Sequence, residues 1–107
     1  MGKRLQKVQK SRTLEEILAI LREHMPELRE RYKVKTLGVF GSYVRGEQRR
    51  RSDLDLLVEF ERVPTFFEFI DLEDHLGELL GIKVDLVMRS ALRPAIGRRI
   101  LAEVIAV

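Results

Sequence analysis

Two aspartates, Asp53 and Asp55, are separated by one residue at the start of a stretch in which apolar side chains alternate with others. A strand has a period of two, so both carboxylates would lie on the same face. Mg²⁺ prefers carboxylate oxygens and commonly binds one or two of them together with the phosphates of a substrate. The pair therefore predicts a metal site that serves phosphate chemistry.

A third aspartate, Asp85, lies at the centre of the apolar stretch 82–88. Such a residue is either a buried acid satisfied by arginine or backbone donors, or part of a site that uses its charge. If its strand neighbours that of Asp53 and Asp55, the three carboxylates form a cluster. A cluster of this kind can hold two metal ions about 4 Å apart, one activating an attacking oxygen and one neutralising a leaving phosphate.

Gly41 and Ser42 directly follow a predicted strand at 34–40. A glycine there allows the backbone to approach a phosphate, a following helical turn directs amide hydrogens at the anion, and the serine adds a hydroxyl donor. Arg45 and Arg49 could bind the phosphates that are not transferred by paired hydrogen bonds. Each feature alone is typical of an ordinary turn or loop, and it is their order along the chain that favours a phosphate site.

The elements that must position these residues can be predicted from periodicity and caps. Thr13 and Glu16 form a capping-box pattern, Pro26 predicts an interruption with a second short helix to residue 31 or 32, and Gly81 suits the end of a helix. The predicted order is a helix from 13, strands at 34–40 and 53–60, a helix from 64 or 65 to 80, a strand at 82–88 and a helix from 94. The fold class is α/β (α+β), with a small mixed sheet backed by helices.

Apolar stripes predict which helix faces are buried. The first helix presents Leu14, Ile17, Leu18 and Leu21; the second presents Phe69, Leu72, Leu76, Leu79 and Leu80, widened by Phe66 and Ile70; the last presents Ile96, Ile100, Leu101 and Val104.

Composition bounds the remaining possibilities. With 107 residues, 45% hydrophobic and 35% charged, the chain is long enough for one core, which we place at 13–107. Residues 1–12 carry five basic residues and no acidic one, so the net charge of +3 reflects a basic, flexible tail, and the rest of the chain, at −2, does not favour direct nucleic-acid binding. There is no cysteine, no apolar run long enough for a membrane span and no signal-peptide pattern, so we expect a cytoplasmic protein.

Other sites are excluded by their missing patterns. The sequence contains no Gly-x-x-x-x-Gly-Lys-Ser/Thr loop, and Ser42 lacks the Gly-x-Ser-x-Gly setting of a hydrolase nucleophile. His24 and His75 have no partner at helical spacing and are interpreted as surface residues.

At Gly41-Ser42, Ser52-Asp53-Leu54-Asp55 and Lys83-Val84-Asp85 the sequence resembles the DNA polymerase β-like nucleotidyltransferase superfamily, and within it the minimal nucleotidyltransferases of prokaryotes. The resemblance covers the chain from the first helix to Asp85. Val44 departs from the alanine that is frequent in the minimal family.

The resemblance implies the nucleotidyltransferase fold and transfer of a nucleoside monophosphate, with ATP as the expected donor and two Mg²⁺ ions. It implies that Asp53 and Asp55 bind the metals, that Asp85 binds or activates the attacking hydroxyl, and that Gly41 and Ser42 hold the triphosphate. It also brings Ser52 into the expected nucleotide-binding set, beside Arg45 and Arg49.

Proteins of this small class resemble antitoxins of two-gene modules whose partner is a HEPN-domain ribonuclease, and some of these antitoxins add AMP to a tyrosine of the toxin (AMPylation). Two alternatives stay open. One is a non-catalytic antitoxin that neutralises its partner by binding, for which the apolar segment 100–107 is the candidate surface; the other is a subunit that modifies a small molecule such as an aminoglycoside. The sequence leaves the nucleotide, the acceptor and any homo- or hetero-oligomer open.

Overall fold

The computed structural model describes residues 12–107. The predicted basic tail lies outside the described residues except for Arg12, whose side chain donates a hydrogen bond to the carbonyl of Leu80. The elements are α1 (Leu14–Tyr32), β1 (Val34–Phe40), α2 (Ser42–Arg45), β2 (Leu54–Phe60), α3 (Phe66–Leu80), β3 (Val84–Met88), a 3₁₀ turn (Arg89–Ala91), α4 (Pro94–Glu103) and β4 (Ile105–Ala106).

The four strands form one mixed sheet in the order β3-β2-β1-β4. β1 is antiparallel to both β2 and β4, whereas β2 and β3 are parallel. A parallel pair requires a crossover connection, and α3 supplies it. The predicted small mixed sheet backed by helices is confirmed, and the parallel pair sets the carboxylates of two strands side by side.

The core lies between the sheet and two helices, α1 and α3. Ile17 and Leu21 of α1 and Leu72 and Leu76 of α3 have no exposed surface, as their spacing predicts. In the part of the chain that the structure describes, no helix is long and apolar enough to span a membrane.

Both long helices begin with a capping box. The hydroxyl of Thr13 accepts the amide of Glu16 while the Glu16 carboxylate accepts the amide of Thr13, and Thr65 and Glu68 repeat the arrangement at α3. These reciprocal bonds satisfy amides that have no partner within the helix. The predicted cap at Thr13 is confirmed.

The predicted interruption at Pro26 is wrong, because α1 continues through it to Tyr32. A proline within a helix costs about 3 kcal/mol. Its neighbours Met25 and Leu28 are buried in the core, and each fully buried side chain of this size contributes about 1.5–3 kcal/mol. Pro26 itself is exposed, and it lacks the amide hydrogen that would donate to the preceding turn of the helix.

The chain ends differently from the prediction. α4 stops at Glu103, and Ile105–Ala106 pairs with the otherwise open edge of β1 as β4, while the amide of Val107 donates to the carbonyl of Leu37. An open edge carries unpaired amides and carbonyls, and pairing them favours a strand over a longer helix.

Several predicted core residues face solvent. Phe66 is 72% exposed beside Phe67 and Val63, and on α4 Ile96 and Leu101 are 54% and 41% exposed. Helical periodicity identifies an apolar stripe but cannot show which part of it the sheet is wide enough to cover.

We predict that Gly38→Ala destabilises the protein by about 1–3 kcal/mol, a usual cost of overpacking. A Cβ at Gly38 would lie 2.6 Å from Cγ2 of Val104, at the entry to β4. Urea unfolding measures the loss, and the double variant Gly38→Ala/Val104→Ala should recover part of it. Equal stability of Gly38→Ala and the wild type would contradict this packing.

Candidate active site

Asp55 and Asp85 are direct partners across the parallel strands β2 and β3. Partners on adjacent strands point to the same face, and Leu54 and Leu56, which flank Asp55, are completely buried on the opposite face. The predicted neighbourhood of the two strands is therefore correct, and it sets two carboxylates beside each other on the face away from α1 and α3.

The Asp55 carboxyl is influenced by the charges of the surrounding acidic residues and of Arg45. Partial burial, followed by the negative charges of Asp85 and Asp53, raises the pKa of the Asp55 carboxyl from 3.8 to about 6; Arg45 opposes the shift and Glu103 adds to it. The carboxylates thus carry more negative charge than the nearby arginine compensates. Excess negative charge of this kind favours the binding of a cation.

Gly41 links β1 to the short helix α2 and lies against Asp55. Its φ of 84° is in the left-handed region, and a Cβ on it would overlap Oδ2 of Asp55. Both the backbone conformation and the lack of space require glycine. The glycine predicted to let backbone approach a phosphate thus also admits the Asp55 carboxylate to the turn.

A cleft of about 260 Å³ opens next to this turn. It combines three of the predicted site residues with one face of α4, and its lining comprises Phe40, Gly41, Arg45, Asp55, Ile96, Arg99, Ile100 and Glu103. A larger cleft of about 540 Å³ lies at the other end of β2 and is lined by none of the predicted site residues. The smaller cleft is the better candidate because the charged groups converge there.

Arg45 is held by two carboxylates of its own chain. Its Nε lies 2.9 Å from Oε1 of Glu47, and its Nη1 lies 3.0 Å from Oε1 of Glu103. These contacts raise the pKa of the guanidinium above its ordinary value. Arg45 therefore enters the cleft already oriented.

The loop before β2 is organised by Ser52, whose hydroxyl accepts the backbone amide of Arg49 at 2.7 Å. Neither residue is among the described residues that line the cleft. Their predicted contacts with the nucleotide stay predictions, and the observed bond gives Ser52 a structural part in presenting the neighbouring Asp53.

Arg99 and Glu103, both from α4, are the cleft residues that sequence reasoning missed. They lie one helical turn apart on the same face as Ile96 and Ile100, so an apolar stripe interrupted by opposite charges was the available signal. Helical periodicity alone assigns this stripe to core packing.

Among the described residues, no three acidic, histidine or cysteine side chains are grouped so that they could hold a metal ion. The donor set nevertheless fits Mg²⁺, because carboxylates are its preferred protein ligands and one or two suffice when phosphates supply others. The raised pKa of Asp55 agrees with this fit, because after partial burial its causes are the negative charges of Asp85 and Asp53.

Comparison with known proteins identifies the family. Residues 21–107 match the sequence profile of the nucleotidyltransferase domain. The chain belongs to the nucleotidyltransferase domain family. It is thus a nucleotidyltransferase, and the carboxylates and the Gly41 turn lie within the matched region.

Individual relatives agree with this. The chain is 55% identical over 93 residues to the protein adenylyltransferase MntA of Thermococcus cleftensis, covering 87% of this chain and 94% of the relative. A solved structure described as a minimal nucleotidyltransferase is 40% identical, with a TM-score of 0.75, and the match covers 90% of this chain and 97% of that one. A toxin-antitoxin structure with AMP-PNP is 25% identical, with a TM-score of 0.64, covering 86% and 69%. The predicted nucleotidyltransferase fold is confirmed.

We predict that Asp55→Asn stabilises the metal-free protein at pH 7.5 by about 1–2 kcal/mol. Raising the pKa of Asp55 from 3.8 to about 6 corresponds to about 3 kcal/mol of free energy. The expected stabilisation is smaller because the carboxyl is partly solvated. The native pKa of Asp55, about 6, exceeds the ordinary 3.8, so the native state binds the proton more tightly than the unfolded state does. The wild-type protein therefore loses stability as pH rises through 6, whereas Asp55→Asn does not.

The stabilisation by Asp55→Asn should therefore disappear below about pH 4. Urea unfolding with a chelator present, across pH 4 to 8, measures it. Asp74→Asn, which changes an exposed aspartate on α3, is the matched control and should change little. A less stable Asp55→Asn protein at pH 7.5 would contradict the charge balance described above.

Proposed function

We propose that the protein is a Mg²⁺-dependent adenylyltransferase that transfers AMP from ATP to a hydroxyl of a partner protein and acts as the antitoxin of a HEPN-type ribonuclease. The observation that carries this proposal is the convergence of Asp55, its partner Asp85 and the Gly41 turn in one place. The relative from Thermococcus cleftensis, named a protein adenylyltransferase, supports the choice of AMP and of a protein acceptor.

In the proposed reaction the acceptor oxygen forms a bond to the α-phosphorus of ATP, and the bond between the α-phosphorus and the bridging oxygen to the β-phosphate breaks. Pyrophosphate leaves with the bonding electrons. Asp85 is exposed at the site and accepts the hydroxyl proton or orients the hydroxyl. Arg45 and Arg99, which line the cleft, bind the phosphates that leave.

Asp53 and Asp55 are the residues that would hold Mg²⁺, with Asp85 as a further candidate. When bound, the metal supplies positive charge that polarises the phosphoryl oxygens and offsets charge on the leaving group. Gly41 and Ser42 shape the turn beside which the triphosphate lies, and the turn keeps it within reach of the carboxylates.

A partner protein supplies the acceptor in this proposal. The solved toxin-antitoxin structure with AMP-PNP supports pairing with a toxin, and the resemblance to minimal nucleotidyltransferases supports the HEPN class. A cytoplasmic location remains a prediction from the sequence. The alternative in which the segment 100–107 docks on a partner is less favoured, because Ile105 and Val107 pack against the core of the same chain.

We predict that the protein, incubated with α-labelled ATP, Mg²⁺ and a HEPN-type toxin, transfers label to the toxin. Asp53→Asn should lower the transfer by at least about 100-fold, because it removes a carboxylate that the metal requires. Gel autoradiography measures the product, and mass spectrometry locates the modified side chain.

Asp74→Asn serves again as a control with an equal change of charge far from the cleft. Equal labelling by Asp53→Asn and the wild type, or label that stays on ATP with every protein present, would refute catalysis. If Asp53→Asn still protected cells from the toxin as well as the wild type does, neutralisation would depend on binding instead.

A further inference from the structure

Glu103, the last residue of α4, contacts the residue that precedes α2, Gly41, and the last residue of α2, Arg45. Its Oε2 accepts the backbone amide of Gly41 at 2.7 Å. Both of its oxygens accept from Nη1 of Arg45, at 3.0 and 3.1 Å. The Glu103 side chain is only a quarter exposed, so these contacts lie partly within the protein.

The contact with Gly41 follows from the register of the sheet edge. Val39 pairs with Ile105, and two residues further along each antiparallel strand lie Gly41 and Glu103. The chain at Glu103 still belongs to α4, so its side-chain oxygen accepts the amide where a backbone carbonyl of β4 would otherwise do so. The Gly41 amide therefore points to the β4 side of the sheet and is satisfied by the protein itself.

The contact with Arg45 fixes a long side chain before any ligand arrives. Glu47 binds its Nε and Glu103 binds its Nη1, and among residues 12–107 no hydrogen bond uses its Nη2. An arginine that is already fixed loses less rotamer freedom when it binds a phosphate. Burial raises the pKa of the Glu103 carboxyl, but the hydrogen bonds from the Gly41 amide and Arg45 together lower it by more. The pKa is therefore below its ordinary value, and the group is ionised at neutral pH.

We propose that Glu103 is a positioning residue for the nucleotide, which holds Arg45 and the Gly41 turn in the arrangement that receives the phosphates. This inference rests on the proposed function and deepens it. It makes the α4–β4 segment part of the nucleotide site, and it leaves the phosphates to Arg45 and to the groups of the turn other than the Gly41 amide.

Two simpler roles for Glu103 make different predictions. If Glu103 only secures the C-terminal segment, its loss lowers stability and leaves nucleotide affinity unchanged. If its carboxylate instead occupies the place of a phosphate, its loss removes a competitor and tightens nucleotide binding. Affinity, measured separately from stability, therefore distinguishes the three roles.

The test is isothermal titration of AMP-PNP with Mg²⁺ into the wild type, Glu103→Ala, Glu103→Gln and Arg22→Ala. We expect Glu103→Ala to weaken binding about tenfold, the effect expected from losing charge-assisted hydrogen bonds to Arg45. Glu103→Gln can still accept a hydrogen bond from the Gly41 amide, so its affinity for AMP-PNP should lie between those of the wild type and Glu103→Ala. Arg22→Ala is the matched control, because Arg22 donates to the carbonyl of Ala106 in β4 but contacts neither Gly41 nor Arg45, and its affinity should equal that of the wild type.

Thermal melts establish the folded fraction of each variant. The Nη–H resonances of the Arg45 guanidinium report its order without nucleotide, and we expect them to be protected in the wild type and exchange-broadened in Glu103→Ala, because Glu103 binds Nη1. Unchanged or tighter AMP-PNP binding by folded Glu103→Ala would overturn the positioning role alone. Absence of binding by the wild type would overturn the proposed function and this role with it.

Discussion

The side-by-side placement of like charges on β2 and β3 is the constraint on which the rest of the site depends. Asp55 and Asp85 are held side by side by the register of two parallel strands, with the buried Leu54 and Leu56 fixing that register from the other face. A shift of either strand by one residue would turn its own carboxylate towards the core. The packing of α1 and α3 thus maintains an arrangement that is unfavourable without a cation, and the stability of the core makes the charged centre possible.

The C-terminal segment connects this centre to the edge of the sheet. β4 closes the edge of β1, and α4 brings Arg99 and Glu103 to the cleft beside Gly41. In the proposed function, closure of the sheet edge and phosphate binding use the same short segment. A change that displaces the Glu103 side chain is expected to disturb both, because Glu103 contacts the Gly41 turn and Arg45 at the start of this edge.

Much of the fold and of the candidate site can be predicted from patterns among residues that are close in sequence. The aspartate pair, the Gly-Ser turn and the capping box at Thr13 depend on neighbouring residues, so the sequence carries them directly. The continuity of α1 through Pro26 depends on how much core surrounds its neighbours, which is a tertiary quantity. Glu103 was missed for the same reason, because its contact with Gly41 joins residues 62 positions apart and arises only from the pairing of β4 with β1.

The most direct measurement is a crystal structure of the protein with AMP-PNP and Mn²⁺, in which anomalous scattering locates the metal. The proposed mechanism predicts an anomalous peak bound by Asp53 and Asp55, with the triphosphate between the Gly41 turn and Arg45. A peak at other residues, or a nucleotide bound in the cleft at the opposite end of β2, would contradict it.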